Sequence, residues 1–490
     1  MALRGIIDNG QFFALPRKEL LLAIYTDFAT ELEFLKSAYA VPANSNIPQP
    51  HAAPQSPSQP PSPSTILFEK EHDEINRTLV SIEALRMIYN DEYTRFTETQ
   101  DESVRLHRDS FNWLHELFRD AVTKGPELLH TLVTSVIIND LGKSPALAME
   151  YERAVGGPTG DSEGAQVNHD LLLHQVVQRT PQVIPCLNRL NPDRRAELEL
   201  AIELGASLNF GQLAQAENVP ASLVGLDCVK ESRFAFALRF LEQILDVAGA
   251  AGHEDHAHAK KLIEPIFRSY KLVYDVALDY LTGGFNRSRR DAYDAVLQKK
   301  MGMLAEHGKW EAAKGLEMSK PEDRALMRLL CICNASSPAV ADLVCKTFHN
   351  EIADPTRQTL IHGLNVDGAF DTPAVQATYI PAVCSAAITA TKSLSRNEQR
   401  RALGAVFRYL ARVLAVTKAD QKGLPKDTAV IERDIRELAI PVASSPQFVA
   451  DPGVLDSVDV PACAVAIRLP REAKGGDAGF WAAGRRGLFS

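Results

Sequence analysis

The strongest constraint on the fold is the spacing of the apolar residues, which recur every three to four positions through most of the chain. This spacing places them on one face of an α-helix, and such a face must pack against other helices. The clearest periodic segments are residues 224–250, 257–281, 287–306, 338–352 and 397–416. Alternating β-branched runs are nearly absent, apart from residues 460–469. The pattern predicts an all-α protein with one large helical body, and we find no fixed repeat of the kind that forms a helical solenoid.

Composition divides the chain into four regions. Residues 1–40 contain an amphipathic segment that begins at Pro16, which predicts an N-terminal helix docked on the body. Residues 41–65 are rich in Pro, Ser and Gln and nearly lack apolar side chains, so we predict a disordered linker or loop. Residues 66–418 form the predicted all-α catalytic body. Residues 419–490 are predicted to be an irregular C-terminal extension that ends in a frayed tail.

Overall composition narrows the class of protein and its compartment. The 490 residues are 45% hydrophobic and 23% charged, which is close to the average of globular proteins. The seven cysteines are scattered and form no C-x-x-C pair, a distribution typical of reduced thiols in the cytosol. The sequence shows neither a signal-peptide core nor an apolar stretch long enough to cross a membrane. We therefore expect a cytoplasmic, soluble protein with no membrane partner.

The segment ELLHTLVTSVIINDLGK contains the first candidate for a chemical site. An apolar helix that ends in H-D-x-G-K is typical of HD-type metal phosphohydrolases, and here the corresponding pair is Asn139 and Asp140. Asp140, His169 and Asp170 are therefore weak candidates for metal ligands, in a fold that would be distantly HD-like. The alternative interpretation is a purely structural helix end, with Gly142 in the left-handed cap position.

A second segment with metal-like spacing is GHEDHAHAKK, which contains His253, His256 and His258. Positions three and two residues apart do not all share one face of a helix. The flanking charges favour an exposed helix start, whose acidic residues oppose the positive end of the helix dipole. We therefore predict no metal here.

The segment VGLDCVKESRFAFALR contains the most interesting candidate. Asp227 and Glu231 are four residues apart, so on a helix their carboxylates project from one face, with Cys228 one position round. Two carboxylates held together can form an acid/base pair that shuttles protons. The alternative is a surface pair with Lys230 and Arg233 as ion-pair neighbours, and spacing alone favours this alternative.

The residues GLDCVKES resemble the D-D-x-x-E motif of the fungal arginine-containing cyclodipeptide synthases, helix-rich enzymes of secondary metabolism. The resemblance places the first acid at Asp227 and the glutamate at Glu231, whereas Cys228 stands at the position of the second aspartate. It implies an aminoacyltransferase that joins arginine from arginyl-tRNA to a second tRNA-borne amino acid and closes a cyclo(Arg-Xaa) diketopiperazine, in alkaloid biosynthesis. The predicted catalytic residues are Asp227, Cys228 and Glu231, with the carboxylates as ligands of the guanidinium or as the base.

The implied reaction needs little equipment beyond positioning, because an aminoacyl ester is already activated. No cofactor is expected, and the chain has no G-x-x-x-x-G-K-[ST] loop for ATP. The implied partners are two aminoacyl-tRNAs, and downstream biosynthetic enzymes are further candidates. Since the net charge is −9, tRNA must bind a local basic surface on an acidic body.

The predicted tRNA-binding surface centres on Arg287, Arg289 and Arg290 in FNRSRRD. Other basic residues and interleaved aromatic residues nearby in the sequence are Lys260, Lys261, Arg268, Lys271, Lys299, Lys300, Tyr270, Tyr274 and Phe285. Cations of such a surface contact phosphates, and its aromatic rings stack on bases. The alternative is an ordinary solvated helix face with aromatic residues of the core.

Two other functions remain open from the sequence. One is an HD-like metal-dependent hydrolase or oxygenase, which requires a bound divalent ion. The other is a non-catalytic helical scaffold, for which the Pro-rich linker is the positive indication.

Overall fold

The structure is a computed structural model that describes residues 2–38, 60–156, 168–306, 309–369 and 372–469. Helices dominate these residues, and the only strands within the described ranges form one small sheet. The prediction of an all-α protein is therefore confirmed. The predicted linker lies mainly, and the end of the predicted tail wholly, outside the described residues.

The first part of the chain contains twelve α-helices among its described residues. In chain order they are α1 (Leu3–Asp8), α2 (Arg17–Lys36), α3 (Pro63–Phe68), α4 (Asp73–Tyr89), α5 (Tyr93–Thr97), α6 (Arg108–Thr123), α7 (Pro126–Ile138), α8 (Pro145–Val155), α9 (His169–Arg179), α10 (Pro192–Ser207), α11 (Phe210–Ala214) and α12 (Arg233–Gly249).

The later part continues the helical pattern. Its α-helices are α13 (Glu264–Leu281), α14 (Arg289–Glu306), α15 (Pro321–Ile332), α16 (Pro338–Asn350), α17 (Asp354–Asn365), α18 (Ile380–Ala390), α19 (Arg396–Leu414), α20 (Lys418–Gly423), α21 (Arg436–Ala443) and α22 (Pro446–Ala450). Short 3₁₀ helices connect the α-helices at Leu141–Lys143, Pro181–Val183, Pro185–Arg189, Pro220–Val229, Gly284–Arg287, Glu311–Gly315 and Pro452–Ser457.

Local signals in the sequence set where the long helices begin. Pro192 lies in the first turn of α10, where a backbone N–H has no partner within the helix. The Ser232 side chain accepts the N–H of Ala235 and so caps α12. At α19, Ser395 and Glu398 form a reciprocal capping box. These caps explain where the three helices begin.

The periodic segment 224–250 is two elements and not the single helix that the spacing suggested. Pro220–Val229 is a 3₁₀ helix, a short turn follows, and α12 then begins at Arg233. The break falls at Ser232 because this side chain caps the new helix. This division matters because the predicted catalytic residues Asp227, Cys228 and Glu231 all precede α12 and are not part of it.

Three short strands form a sheet late in the chain: β1 (Ala374–Thr378), β2 (Thr428–Asp434) and β3 (Ala464–Arg468). β1 is parallel to β2, and β2 is antiparallel to β3. The expected strand within residues 460–469 is present as β3, whereas β1 and β2 were not predicted. Every residue of β1 is buried, so this strand lacks the alternation that marks a half-buried strand.

Two of the predicted regions differ from what the structure shows. Residues 419–469 are not irregular, because α21, α22, β2 and β3 lie there, and Arg433 in β2 ties the sheet to α19 by a 2.6 Å hydrogen bond to Val413 O. The predicted linker also ends before residue 65. Ser62 caps α3 by accepting the N–H of Thr65, and this short helix packs on α4.

Close packing of α12 organises the helical body. This helix lies against α4, α7 and α10. A Cβ at Gly249 would lie 2.5 Å from Arg77 O of α4, and one at Gly205 of α10 would lie 2.7 Å from Arg239 Cζ of α12. Glycine at these positions lets α4 and α10 approach α12 so closely that polar side chains are enclosed between them.

We expect Gly249→Ala to lower the free energy of unfolding by about 1–3 kcal/mol, because the added methyl group overpacks the contact between α12 and α4. The matched control is Gly302→Ala within α14, where a Cβ meets nothing within 4 Å. Alanine there should stabilise by up to about 1 kcal/mol through helix propensity. Urea unfolding measures both changes. Equal effects of the two substitutions would contradict the close approach.

Candidate functional site

The first acid of the predicted motif lies at the end of the 3₁₀ helix Pro220–Val229, beside α13 and α14. Asp227 Oδ2 accepts a hydrogen bond from Arg289 Nη2 at 3.0 Å, and Asp227 Oδ1 lies 2.8 Å from Lys230 Nζ. The Tyr280 hydroxyl donates to Asp227 Oδ1 at 3.4 Å. We call Asp227, Lys230, Tyr280 and Arg289 the motif site. It joins the predicted catalytic acid to the predicted tRNA-binding stretch.

The helical face that Asp227 and Glu231 were predicted to share is not formed. Asp227 belongs to a 3₁₀ helix, and Glu231 lies in the turn that precedes α12. Residues four apart face the same way within an α-helix, but not in a 3₁₀ helix, which has three residues per turn. Glu231 is exposed and has no hydrogen bond or ion pair with any described residue. The predicted acid/base pair is thus replaced by one carboxylate among cations.

Cys228 is half-buried, and its thiol donates to Gly225 O at 3.1 Å. Burial, followed by the negative charge of Glu203, raises the pKa of the Cys228 thiol to about 12. The reactive form of cysteine is the thiolate, which is scarce at such a pKa. The surroundings of Cys228 therefore disfavour a role as nucleophile. They are compatible with a thiol that only occupies the position of the motif's second aspartate.

Two of the three arginines in the predicted tRNA-binding stretch already have acidic partners. Arg289 pairs with Asp227, and Arg290 Nη1 donates to Asp367 Oδ2 at 2.5 Å. Arg287 is exposed and forms no ion pair with the described residues. The charge available to a phosphate on this stretch is therefore that of Arg287.

The loop that carries Arg287 has an unusual backbone. Phe285, Asn286 and Arg287 all have left-handed φ values, of 54°, 49° and 57°. This conformation costs non-glycine residues about 1–2 kcal/mol each. Strained backbone persists where the surrounding structure holds it, and such strain clusters at functional loops. The strained turn connects α13 to α14 immediately beside the motif site.

The other predicted tRNA contacts are divided between the surface and the core. Lys300 is not a surface cation, because its Nζ donates to Ser269 Oγ at 2.5 Å and burial lowers its pKa. Tyr274 stacks on Phe236 with ring centroids 5.5 Å apart and is thus an aromatic residue of the core. Lys261 and Lys299 are exposed. Three cations have acidic partners: Lys260 with Glu254, Arg268 with Glu264, and Lys271 with Asp275.

Gly142 has a role different from the left-handed helix cap that the structural interpretation expected. It lies in the 3₁₀ turn Leu141–Lys143 after α7 and does not have a positive φ. A Cβ at Gly142 would overlap the carbonyl of His169, so glycine lets the start of α9 rest on this turn. As a result His169 Nε2 lies 4.0 Å from Asp140 Oδ1 and 3.7 Å from Asp170 Oδ2. The three weak metal-ligand candidates are neighbours.

These neighbours do not form a metal site in the usual sense. Lys143 Nζ lies 2.8 Å from Asp140 Oδ1 and supplies a fixed positive charge there. Within the described ranges, no group of three or more His, Cys, Asp or Glu side chains is arranged to hold a metal ion. The histidines of GHEDHAHAKK lie in turns before α13, where His256 Nδ1 contacts Gly252 O and His258 Nδ1 contacts Asp255 Oδ1.

A narrow cleft opens between α7, α9, α10 and α12. Its polar lining consists of Ser135, Asn139, Asp170, Arg239 and Glu242, and we call it the acidic cleft. It encloses about 280 Å³, its open mouth included. Arg239 Nη1 donates to Glu242 Oε2 at 2.5 Å and to Asn139 Oδ1 at 2.9 Å. The guanidinium thus joins α12 to the end of α7.

A group of charged side chains lies behind the acidic cleft, and we call Glu74, Arg77, Asp140, Lys143 and Asp246 the charged cluster. Glu74 Oε1 lies 2.6 Å from Arg77 Nη1, and Glu74 Oε2 lies 3.3 Å from Lys143 Nζ. Glu74 and Asp140 are 1% and 5% exposed. Buried charges of this density persist only when paired, so the cluster and the cleft behave as one electrostatic unit.

The pKa values of the carboxyl groups in this unit are shifted in opposite directions. It raises the pKa of Glu242 to about 8, although Arg239 opposes the change. Burial and then the charge of Asp140 raise the pKa values of Glu74 and Asp246. Burial also works to raise the pKa of Asp140, but Lys143, His169 and Arg77 outweigh it and the pKa is lowered. The pKa values of Glu74, Glu242 and Asp246 are thus raised, whereas that of Asp140 is lowered.

The sequence analysis singled out Asp140, His169 and Asp170 but missed Arg239 and Glu242. A signal for the missed residues exists in α12, where Arg239, Glu242, Gln243 and Asp246 are spaced at three, four and seven residues within an apolar helix. Polar residues at helical spacing on a buried helix mark a polar face directed into the core.

The fold and the site define a large all-α protein with a charged centre enclosed between helices. The chain belongs to the "Family of unknown function (DUF6829)", whose model matches residues 21–455. This match extends from within α2 to beyond α22 and contains both the motif site and the acidic cleft. No curated protein and no solved structure matches the chain. None of the described helices is long and apolar enough to cross a membrane.

We expect Glu242→Gln to change how the free energy of unfolding depends on pH. A glutamate whose pKa is about 8 when folded and near 4.3 when unfolded holds its proton more tightly in the folded state. Its contribution to stability is therefore present at low pH and is lost as the pH rises from about 4.5 to about 8. Glutamine does not titrate.

Urea unfolding of both proteins between pH 5 and pH 8 measures this effect. Relative to the Glu242→Gln variant, the wild type should lose stability with rising pH, at a slope of at most about 1.4 kcal/mol per pH unit. Parallel pH profiles of the two proteins would show that the Glu242 carboxyl is not held protonated by its surroundings.

Proposed function

We propose that this chain is a tRNA-dependent cyclodipeptide synthase. It would join arginine, delivered by arginyl-tRNA, to a second tRNA-borne amino acid and release a cyclo(Arg-Xaa) diketopiperazine, in the cytoplasm, for alkaloid biosynthesis. The proposal begins from the resemblance of GLDCVKES to the D-D-x-x-E motif. The observation that carries it is the 3.0 Å contact between Asp227 of that motif and Arg289 of the basic stretch, which are 62 residues apart.

This contact supports the proposal because the two predicted functions must be adjacent in such an enzyme. An aminoacyl group is attached to the terminal nucleotide of its tRNA, so the residues that bind that end must lie beside those that bind the amino acid. The strained loop with exposed Arg287 provides a cation for phosphate next to Asp227. Holding the two esters in position accounts for much of the rate, since proximity contributes about 7–11 kcal/mol.

In the proposed reaction, Asp227 anchors the guanidinium of the arginyl group. Its carboxylate already binds a guanidinium, that of Arg289, and its side chain is 29% exposed. A substrate arginine would replace Arg289 as the partner of Asp227, preferably with two parallel hydrogen bonds. The released Arg289 would then be free to contact a phosphate. Asp227 is therefore assigned to recognition and not to proton transfer.

A second candidate function is a metal-dependent hydrolase or oxygenase with a distantly HD-like centre. The proximity of Asp140, His169 and Asp170 favours it. Against it, Asn139 stands where the motif has histidine, and the ammonium of Lys143 contacts Asp140 where a divalent ion would bind. Elemental analysis of the purified protein separates this candidate from the synthase.

The synthase is tested by expression in a bacterial host, with mass spectrometry of the medium for arginine-containing diketopiperazines. We expect the wild type to produce them and Asp227→Asn to produce about 10- to 100-fold less, because hydrogen bonds to a charged group contribute about 1.5–3 kcal/mol. The matched control is Asp456→Asn, which removes another half-exposed carboxylate paired with an arginine, Arg408. A folded wild type without product refutes the synthase, and equal output from both variants refutes the anchor.

Binding of tRNA provides a separate prediction for Arg287. We expect Arg287→Gln to weaken tRNA binding and to reduce the slope of log Kd against log salt concentration by about 0.7–0.9, the value for one phosphate contact. The matched control is Arg401→Gln on α19, which removes another exposed arginine that has no ion pair with a described residue. Filter binding between 50 and 200 mM salt measures both slopes. An unchanged slope for Arg287→Gln would remove this loop from the tRNA surface.

A further inference from the structure

A second and wider space lies beside the start of α14, next to the motif site. It is an open groove formed by the last turn of α17 and the loop after it, and its lining includes His362, Asp367 and Gly368. The groove encloses about 560 Å³ with its mouth, and about 310 Å³ of this admits a water-sized group. This volume lies in the range of small-molecule sites. We call this space the Asp367 groove.

Asp367 is the one carboxylate among the described residues that line the groove, and a buried arginine holds it in place. Asp367 Oδ1 accepts a hydrogen bond from Arg324 Nη2 at 3.2 Å, and Arg324 is only 1% exposed. Arg324 also donates to Asp294 Oδ1 at 2.8 Å and to Asn365 Oδ1 at 3.3 Å. The position of the Asp367 carboxylate is therefore set from inside the protein.

The other oxygen of Asp367 has a partner that can be exchanged. Asp367 Oδ2 accepts a hydrogen bond from Arg290 Nη1 at 2.5 Å, but the Arg290 side chain is 47% exposed. Arg290 Nε also lies 3.5 Å from Asp294 Oδ2, so this guanidinium keeps a carboxylate neighbour when it leaves Asp367. Exposed ion pairs contribute little to stability. A cation that enters the groove can therefore replace Arg290 at Asp367 Oδ2.

The backbone places the groove close to the motif site. The Ala221 N–H donates to Asp367 O at 2.9 Å, and a Cβ at Gly368 would lie 2.7 Å from Ala221 Cβ. Asp227 follows Ala221 by six residues within the 3₁₀ helix Pro220–Val229. A 3₁₀ helix rises about 2.0 Å per residue, so the backbones of Asp367 and Asp227 are separated by about 12 Å along this helix.

An arginyl ester has the length to join these two points. Six bonds separate its guanidinium carbon from its ester carbonyl carbon, which is about 7–8 Å in the extended form. The contact of the guanidinium with Asp227 adds about 3–4 Å. The carbonyl of an arginyl ester that is anchored at Asp227 therefore lies about 11 Å from this carboxylate, close to a cation held by Asp367.

We propose that the Asp367 groove binds the second tRNA-borne amino acid, whose α-ammonium replaces Arg290 as the donor to Asp367 Oδ2. This inference rests on the proposed function and adds to it the site of the second substrate. Asp227 takes the guanidinium of one ester, and Asp367 takes the α-ammonium of the other. The mouth of the groove is open, so the ribose and the rest of the tRNA remain outside.

The reaction between the two sites needs no reactant beyond the two esters. An α-ammonium has an ordinary pKa of about 7.7–8.0, so part of it loses a proton to solvent at neutral pH. The resulting amine still donates an N–H to Asp367 and attacks the arginyl carbonyl. A C–N bond forms and the C–O ester bond breaks. The nitrogen loses one further proton, and the departing ribose oxygen gains one.

Two small amides test the two sites separately. Norvalinamide carries an α-ammonium without a guanidinium, and Nα-acetylargininamide carries a guanidinium without an α-ammonium. We expect calorimetry to show that Asp367→Asn weakens the binding of norvalinamide about 10- to 100-fold and leaves that of Nα-acetylargininamide unchanged. The matched control Asp227→Asn, which also removes a partly exposed carboxylate paired with an arginine of α14, should do the reverse. Unchanged binding of norvalinamide by Asp367→Asn overturns the inference.

The opposite sign is expected for Arg290→Gln, and this variant tests the groove even if Asp367→Asn loses its fold. The change frees Asp367 Oδ2 while Arg324 still holds Oδ1. Norvalinamide should therefore bind about 2- to 5-fold more tightly than to the wild type. The matched control is Arg408→Gln on α19, which removes another partly exposed arginine paired with an aspartate and should leave the affinity unchanged. Equal or weaker binding by Arg290→Gln contradicts the exchange of partners at Asp367.

Product formation separates the second site from the synthase itself. In single turnover with two aminoacyl-tRNAs, Asp367→Asn should form the peptide bond about 10- to 100-fold more slowly than the wild type. If the wild type makes diketopiperazine and Asp367→Asn matches its rate, the second site fails while the synthase stands. If the wild type binds norvalinamide through Asp367 but makes no product, the synthase fails and the groove stands as an amine site.

Discussion

The guanidinium of Arg239 is the contact on which the arrangement of the central helices most depends. It is buried on α12, and its partners are Asn139 after α7, Asp170 at the start of α9, and Glu242 of its own helix. Gly205 of α10 provides the space that it fills. Removing one partner from a buried ion pair costs about 3–5 kcal/mol, because a charge is left without compensation. Four helices are thus aligned by one side chain, and the acidic cleft is the space that remains between them.

A second buried arginine, Arg328, fixes the position of the motif site. Arg328 donates to the carbonyls of Ala216, Asn218 and Leu364, at 3.0, 2.8 and 3.0 Å. Ala216 has a left-handed φ of 54°, so this loop keeps a conformation that it would not adopt alone. The 3₁₀ helix that carries Asp227 follows directly. The motif therefore lies on a rigid support, even though Asp227 itself is partly exposed.

The predictability of this fold depends on the range of the interactions. Caps and apolar period are local signals, and they predicted both ends of α14, α16 and α19 to within two residues. The predicted segment 257–281 was too long, because α13 begins only at Glu264. The break at Ser232 is also local in cause, but its consequence for Asp227 and Glu231 was missed because the apolar period continues through it. β1 and β2 pair across about fifty residues, and a buried parallel strand has no alternation to reveal it.

The acidic cleft could likewise be predicted only in part, because its residues come from helices that are far apart in the sequence. Asp140 and His169 stood out by motif, but their neighbours Glu74 and Glu242 come from α4 and α12, far away in sequence. The polar spacing in α12 marks a buried polar face, but nothing local shows which residues of other helices that face meets. The contact of Gly142 with His169, which assembles the turn and α9, is likewise visible only in three dimensions.

Exposure separates the motif site from the acidic cleft. A guanidinium keeps its charge at every pH of interest, so its anchor needs only a carboxylate and gains nothing from burial. The motif site, where Asp227 is 29% exposed, fulfils this requirement. Glu242 is enclosed instead, and desolvation raises the pKa of its carboxyl group to about 8. Arg239 offsets part of the cost of this burial by its contact with Oε2 of Glu242. The exposed carboxylate is therefore suited to exchange one guanidinium partner for another, whereas the buried one holds neighbouring helices in place.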